Sequence, residues 1–270
     1  AFYGMQTVLQ LLPAEIESKS VVKTDWTLPC VTIEDAPRFA YRGLMCDPCR
    51  HFMTVEEVKR QIDVMAMLKI NQFHWHLTED QGWRMEIKKY PKLTEVGATR
   101  QEGEGTTHSG FYTQEEMKEV VAYAAERFIT VIPELETPGH ELAAIAAYPH
   151  LSCTGEDVTP RIIWGVEDLV MCPGKGDMFG FLEDVVKEMV EIFPSEYYHI
   201  GGDECPKESW KKCPDCQALI KKLGLKAKDG HTPEERLQSY VIGRMEEMLA
   251  KYGKKIIGWD EILEGELSPN

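Results

Sequence analysis

The apolar and polar positions divide the chain into a sparse beginning and a regular remainder. Phe2, Met5, Val8, Leu9 and Leu12 recur at helical spacing and Pro13 closes the pattern, which predicts a short helix over 1–12, read as the last helix of a preceding unit. Between 18 and 37, β-branched and polar residues alternate (Val21-Val22, Val31-Thr32-Ile33) and end in Asp35-Ala36-Pro37, which predicts short strands running into a linker with a boundary near 37. From Phe39 onward, short apolar runs alternate with amphipathic stretches. Three of those stretches open on Thr followed by Glu three residues later, at Thr54/Glu57, Thr113/Glu116 and Thr232/Glu235. In such a pair each side chain caps the other residue's backbone N–H, and Pro233 adds a helix-compatible first position. Behind Thr54, the residues Val55, Val58, Ile62, Met65 and Leu68 form one helical stripe.

The apolar runs predict strands at about 39–45, 70–76, 128–134, 197–201 and 255–259, each separated from the next by enough chain for a crossover helix. Five parallel strands joined by helices suggest either a barrel or a doubly wound sheet. A (β/α)₈ barrel needs three more strands, so a barrel reading implies an incomplete one. The stretch 154–177 is irregular and rich in Gly and Pro, and is expected as a long loop on the functional face.

Composition narrows the function classes. With 43% hydrophobic residues the chain can build one sizeable core. Its 30 Lys+Arg against 45 Asp+Glu leave a net charge of -15, which speaks against nucleic acid as a partner. No apolar run approaches membrane-spanning length and no targeting segment is visible. Eight cysteines include Cys213-Pro214-Asp215-Cys216, with Cys205 upstream and His231 downstream. One C-x-x-C without a matched second pair is a weak zinc signal, so a local disulfide or buried thiols are expected there and no metal.

In parallel α/β folds the working residues gather at the C-terminal ends of strands. The successive strands bring Arg42 and Asp47; His74, His76, Glu79 and Asp80; Glu134, Glu136 and His140; Asp203 and Glu204; and Trp259, Asp260 and Glu261. The densest segment is His199-Ile200-Gly201-Gly202-Asp203-Glu204, where two glycines allow a tight turn that presents adjacent carboxylates. Neighbouring carboxyl groups repel when both are ionised, which favours an acid beside a carboxylate, as glycoside hydrolysis requires. The alternative is that Asp203-Glu204 caps a helix near Lys207. His74-x-His76 also fits the metal-binding start of an amidohydrolase barrel. His140-Glu141 begins a zinc-protease motif that fails at Ala144, and Pro173-Gly174-Lys175-Gly176 lacks phosphate-loop spacing.

Five ordered stretches resemble family 20 glycoside hydrolases, the β-N-acetylhexosaminidases: Arg42 to Asp47, His74 to Trp83, Glu134 to His140, His199 to Glu204, and Gly258 to Glu261. The resemblance covers about 38–265. It implies a TIM-barrel (β/α)₈ α/β fold, truncated here after about five strands, with 1–37 as the C-terminal part of a small α+β domain and linker, and 38–270 as the incomplete catalytic domain. It further implies a retaining hydrolase in which the substrate's own 2-acetamido oxygen is the nucleophile. By position, Glu204 is the general acid and base, Asp203 orients the acetamide, Arg42 forks onto sugar hydroxyls, and Trp259 forms part of an aromatic wall. His140 with Glu79 or Asp80 holds the acid in place, and His199 joins the set around the substrate. Glu79 and Glu136 stand where the family more often has Asp, or Asp or Asn. No cofactor is implied. The expected partner is a glycan ending in N-acetylglucosamine or N-acetylgalactosamine, in the periplasm or outside a bacterial cell; the absence of an Asn-x-Ser/Thr sequon agrees with a bacterial source. A sugar-binding homologue that has lost catalysis is the non-enzymatic alternative.

Overall fold

A computed structural model describes residues 1–265, the side chain of Glu104 excepted; residues 266–270 of the expected second domain lie outside it. Five strands, Gly43–Cys46, Gln72–His76, Thr130–Glu134, Tyr197–His199 and Lys255–Ile257, form one parallel sheet in the order of the chain. The helices Val55–Met67, Gln114–Ala125, Asp177–Ile192 and Pro233–Ala250 lie in the successive connections. Strand order without a reversal is the winding of a barrel and removes the doubly wound alternative, whose order reverses at a switch point.

All three Thr/Glu pairs close as reciprocal caps. At the first, Thr54 N–H donates to Glu57 Oε2 at 2.8 Å and Glu57 N–H to Thr54 Oγ1 at 3.3 Å. Each cap is worth about 1 kcal/mol. Val58, Ile62 and Met65 face the core as the stripe predicts, but Leu68 is exposed. The helix stops at Met67 and Lys69 turns left-handed at φ 59°, so Leu68 no longer lies on the helix face.

Two expectations need correction. Residues 18–37 contain no strand, and Val21, Val31 and Ile33 are exposed. Alternation alone cannot make a strand, because its N–H and C=O groups need a ladder partner, and none of the described residues supplies one. The first sheet strand also starts at Gly43, which leaves Arg42 before the strand.

Pleating separates the sheet's two faces. Phe73 and Trp75 enter the core, where the Trp75 ring lies 4.7 Å from that of Tyr112 and 6.4 Å from that of Phe193. His74 and His76 therefore point to the opposite face. The chain after the second strand forms a short hairpin, Thr78–Glu79 with Gly82–Trp83, and delivers Arg84 to a site with no solvent contact. The Arg84 guanidinium donates to the carbonyls of Pro48, Cys49, Ala98 and Gly110 at 2.7–2.9 Å, which fixes the turn that follows the first strand. The irregular 154–177 segment is also as expected, and Arg161 N–H bonds Asp80 O at 2.9 Å beside the strand ends.

Candidate active site

Register brings His76, Glu134, His199 and Ile257 into one row across four strands. Glu134 is fully buried, with Oε2 2.7 Å from His74 Nε2 and also bonded to His76 Nδ1, while Oε1 lies 2.8 Å from His199 Nδ1. Burial opposes its charge, yet His76 and the other imidazoles hold the carboxyl well below the usual range. Burial likewise opposes a charged His76, but Glu134 and Glu79 push it up to about 10. His74 Nε2 and His76 Nδ1 thus both face the Glu134 carboxylate.

A second set of charges lies above this row. Glu79 Oε2 is 3.1 Å from Arg50 Nη2 and 3.2 Å from His76 Nε2, and Glu79 Oε1 is 2.9 Å from His140 Nδ1. Against burial, contacts with His140 and His76 hold Glu79 down at about 2. Asp80, equally buried, accepts Leu142 N–H at 3.0 Å with its other oxygen 3.5 Å from His140. Both acids after the His-Trp-His segment therefore serve His140, Glu79 at the shorter distance. On its far side, His140 Nε2 lies 3.6 Å from Asp203 Oδ2 and 3.5 Å from Glu204 Oε2. Burial works against its charge, but Asp80 and Glu79 prevail and push His140 up to about 11.

The turn after the fourth strand makes this meeting possible. Gly201 and Gly202 adopt φ of 64° and 89°, and a Cβ on either would collide with the Glu136 carboxyl or with Ile262. The turn breaks strand alternation, leaving Asp203 about one-quarter exposed and Glu204 about half exposed. Glu204 and His140 are themselves left-handed, at φ 44° and 52°. For non-glycine residues this costs on the order of 1–3 kcal/mol each and is typical of positions held for function. Burial raises Asp203, while the His140 charge draws it back down. The capping alternative fails: the helix Glu208–Lys212 starts at Lys207 without a side-chain cap.

Arg42 is not part of this arrangement. It lies at the N-terminal edge of the sheet, donating to Lys69 O and Phe39 O at 2.7 Å and to Ala40 O at 3.1 Å. A cavity of ≈ 650 Å³ opens at that end, without any of the clustered carboxylates. The arginine among the acids is Arg50, three residues past Asp47, whose Oδ2 it meets at 2.9 Å. With Gln81, His140, Trp164 and Glu204, Arg50 lines a cleft of ≈ 70 Å³. Reading four residues past the strand end at Cys46 would have reached Arg50; Arg84 and Trp164, in an insertion and an irregular loop, left no periodic signal.

Trp259 lies beside the glycine turn that leads to the acid pair: its backbone N–H donates to Gly201 O at 2.9 Å, and its ring centre is 4.8 Å from that of His199. His199 is buried, faces Glu134, and stacks on His74 at 4.4 Å, so it supports the floor instead of meeting a ligand. Glu136 is also buried, and burial together with Glu134, Asp203 and Glu79 pushes it far above the usual carboxyl range.

Residues 39–270 match the catalytic domain of glycosyl hydrolase family 20. The chain belongs to that family. It is 60% identical to a Porphyromonas gingivalis β-hexosaminidase over all of this chain and 34% of that protein, and 45% identical to a Vibrio furnissii β-hexosaminidase over 98% of this chain and 43% of that one. Among solved structures, it is similar to a Bacteroides fragilis β-N-acetylhexosaminidase (TM-score 0.82, 41% identity, 97% of this chain and 49% of that chain). A Vibrio harveyi exo-β-N-acetylglucosaminidase in complex with N-acetylglucosamine is comparable (TM-score 0.83, 41% identity, 96% and 40%). The chain spans about a third to a half of the length of these family 20 relatives. None of its described helices is long and apolar enough to cross a membrane.

Proposed function

We propose that the protein is an exo-acting β-N-acetylhexosaminidase that retains configuration by substrate assistance. The observation that carries this reading is the adjacent pair Asp203–Glu204 held by one His140 nitrogen at 3.6 and 3.5 Å. The 2-acetamido oxygen attacks the anomeric carbon as the glycosidic C–O bond breaks, and the Glu204 carboxyl gives its proton to the departing oxygen. Asp203 accepts a hydrogen bond from the acetamide N–H and stabilises the positive charge of the oxazolinium ion. Glu204 then takes a proton from the water that opens this ring. Arg50, held by Asp47 and Glu79, takes the hydroxyl-binding role expected of Arg42, because its rigid fork faces the cleft. Trp259 supplies an apolar wall.

The unreversed strand order supports reading the five strands as the opening of an eight-stranded barrel, with 1–37 as the end of a preceding small α+β domain. Action on N-acetylglucosamine- or N-acetylgalactosamine-terminated glycans, in the periplasm or outside the cell, agrees with the bacterial relatives. The test is Glu204→Gln in the whole natural protein, assayed with an aryl N-acetyl-β-glucosaminide. The expected loss is about 10²–10⁴-fold, with strong inhibition of the wild type by a thiazoline analogue; unchanged hydrolysis by the variant refutes the reading, as do equal wild-type rates on the corresponding β-glucoside.

A further inference from the structure

Away from the acids, Cys153, Cys172, Cys213 and Cys216 bring their sulfurs to within 4.8 Å of one another. The separations are 3.5 Å for Cys172–Cys216, 3.7 Å for Cys172–Cys213 and 3.8 Å for Cys153–Cys216. All four are free thiols; Cys172, Cys213 and Cys216 are buried and Cys153 is partly buried. We propose that these four cysteines hold one structural zinc ion as a tetrahedral thiolate site.

The geometry carries the assignment. Four sulfurs about 2.3 Å from a central zinc stand about 3.8 Å from one another, close to all three separations. A disulfide needs about 2.05 Å, and thiols that merely fill apolar space have no reason to converge on each other rather than on carbon neighbours. A closed set of four thiolates with no open position is the pattern of a structural ion, and sulfur donors in a tetrahedron favour zinc over the oxygen-seeking divalent ions. As each Zn–S bond forms, the thiol proton leaves to solvent, so binding releases up to four protons.

The surrounding chain is shaped for such a clamp. A Cβ on Gly174 would fall 2.3 Å from Cys216 N, so the turn after Cys172 packs directly on the Cys213–Cys216 turn. Trp210 Nε1–H donates to Met171 O at 2.9 Å, and Cys205, next to Glu204, belongs to the same buried cluster. Cys153 and Cys172 bracket the irregular loop that carries Arg161 and Trp164. An ion here would tie that loop to the start of the helix Pro214–Leu223. The C-x-x-C signal is therefore completed by Cys153 and Cys172, not by Cys205 and His231.

The test uses the whole natural protein, purified without chelators and analysed by elemental mass spectrometry, with cobalt(II) exchange as an optical probe. The expected results are one zinc per chain, loss of zinc in Cys172→Ser and Cys213→Ser, retention in the exposed Cys30→Ser, and intense visible cobalt–thiolate bands. Stripping the zinc should lower the melting temperature and speed proteolysis within 154–171. Substoichiometric metal with the four cysteines freely titratable, or joined in disulfides, overturns the proposal, as does iron in place of zinc. If the serine variants fail to fold, the metal content and cobalt spectrum of the wild type decide alone.

Discussion

Replacing His140 by Asn removes a cation that faces both acids of the pair. The imidazole stays charged up to about pH 11 because Asp80 and Glu79 outweigh its burial, and its Nε2 lies 3.6 Å from Asp203 Oδ2. Even with the full dielectric of water, unit charges at that separation interact by about 1.2 kcal/mol, equivalent to about 0.8 of a pKa step. Asp203 is mostly buried, so this is a floor. The sign follows from the charges: His140 draws Asp203 down, and its loss lets burial push the carboxyl up. Asp203 acts as an anion in the proposed mechanism, so the low-pH limb of kcat should move alkaline by about one unit, and the activity loss at about pH 5 should exceed that at about pH 8. The assay is kcat and kcat/KM against pH with an aryl N-acetyl-β-glucosaminide, beside thermal melts showing that the variant is folded. A folded variant with an unmoved low-pH limb and the same proportional loss at every pH would refute the charge coupling and leave His140 a packing residue.

The arginine reassignment predicts that Arg50→Lys lowers kcat/KM by about 30- to 100-fold, the worth of one or two charged hydrogen bonds. Arg42→Lys should leave kcat/KM within about twofold and cost about 1 kcal/mol of stability through its lost carbonyl contacts; the reverse pattern of steady-state kinetics would restore Arg42 to the site. In urea unfolding, Glu134→Gln should cost about 3–5 kcal/mol by breaking a buried ion pair, whereas Glu136→Gln, at a carboxyl held far above its usual range, should stay within about 1 kcal/mol. His76 is raised from 6.5 to about 10 in the folded chain. Its stabilisation is therefore complete below pH 6.5 and lost as pH rises through about 10. Urea midpoints should fall across that window in the wild type and less steeply in His76→Gln.

What the sequence revealed depended on how local the deciding interaction was. The Thr54, Thr113 and Thr232 caps were legible because both partners lie within one helical turn. Strand ends were legible because period-2 patterning and the chemistry after each run are also local. Arg42 and Arg50 lie on either side of the first strand, Gly43–Cys46, and the motif alone did not tell which of the two follows the strand end. Residues 18–37 failed for the opposite reason: their alternation is locally strand-like, and the missing ladder partner is not a local property. The cysteine cluster joins positions separated by as many as 63 residues, so no spacing rule could have linked Cys153 to Cys216.

The departure at Glu136 shows how charge balance can absorb a change of residue. Arg50, His76 and His140 face Glu79 and Glu134, and these two acids keep their charge despite burial. Glu136 instead feels those same two acids and Asp203, and with its burial they push it far above the usual carboxyl range. A protonated carboxyl and a carboxamide are both neutral hydrogen-bonding groups, so a Gln at 136 would present the electrostatics that this raised carboxyl does. The extra methylene is accommodated by Gly201, where any side chain would collide with the Glu136 carboxyl. The glycine that turns the chain toward Asp203 thus also makes room for the carboxyl beside it, which predicts that Gly201→Ala is far more damaging to folding than Glu136→Gln, a ranking that paired urea midpoints can overturn.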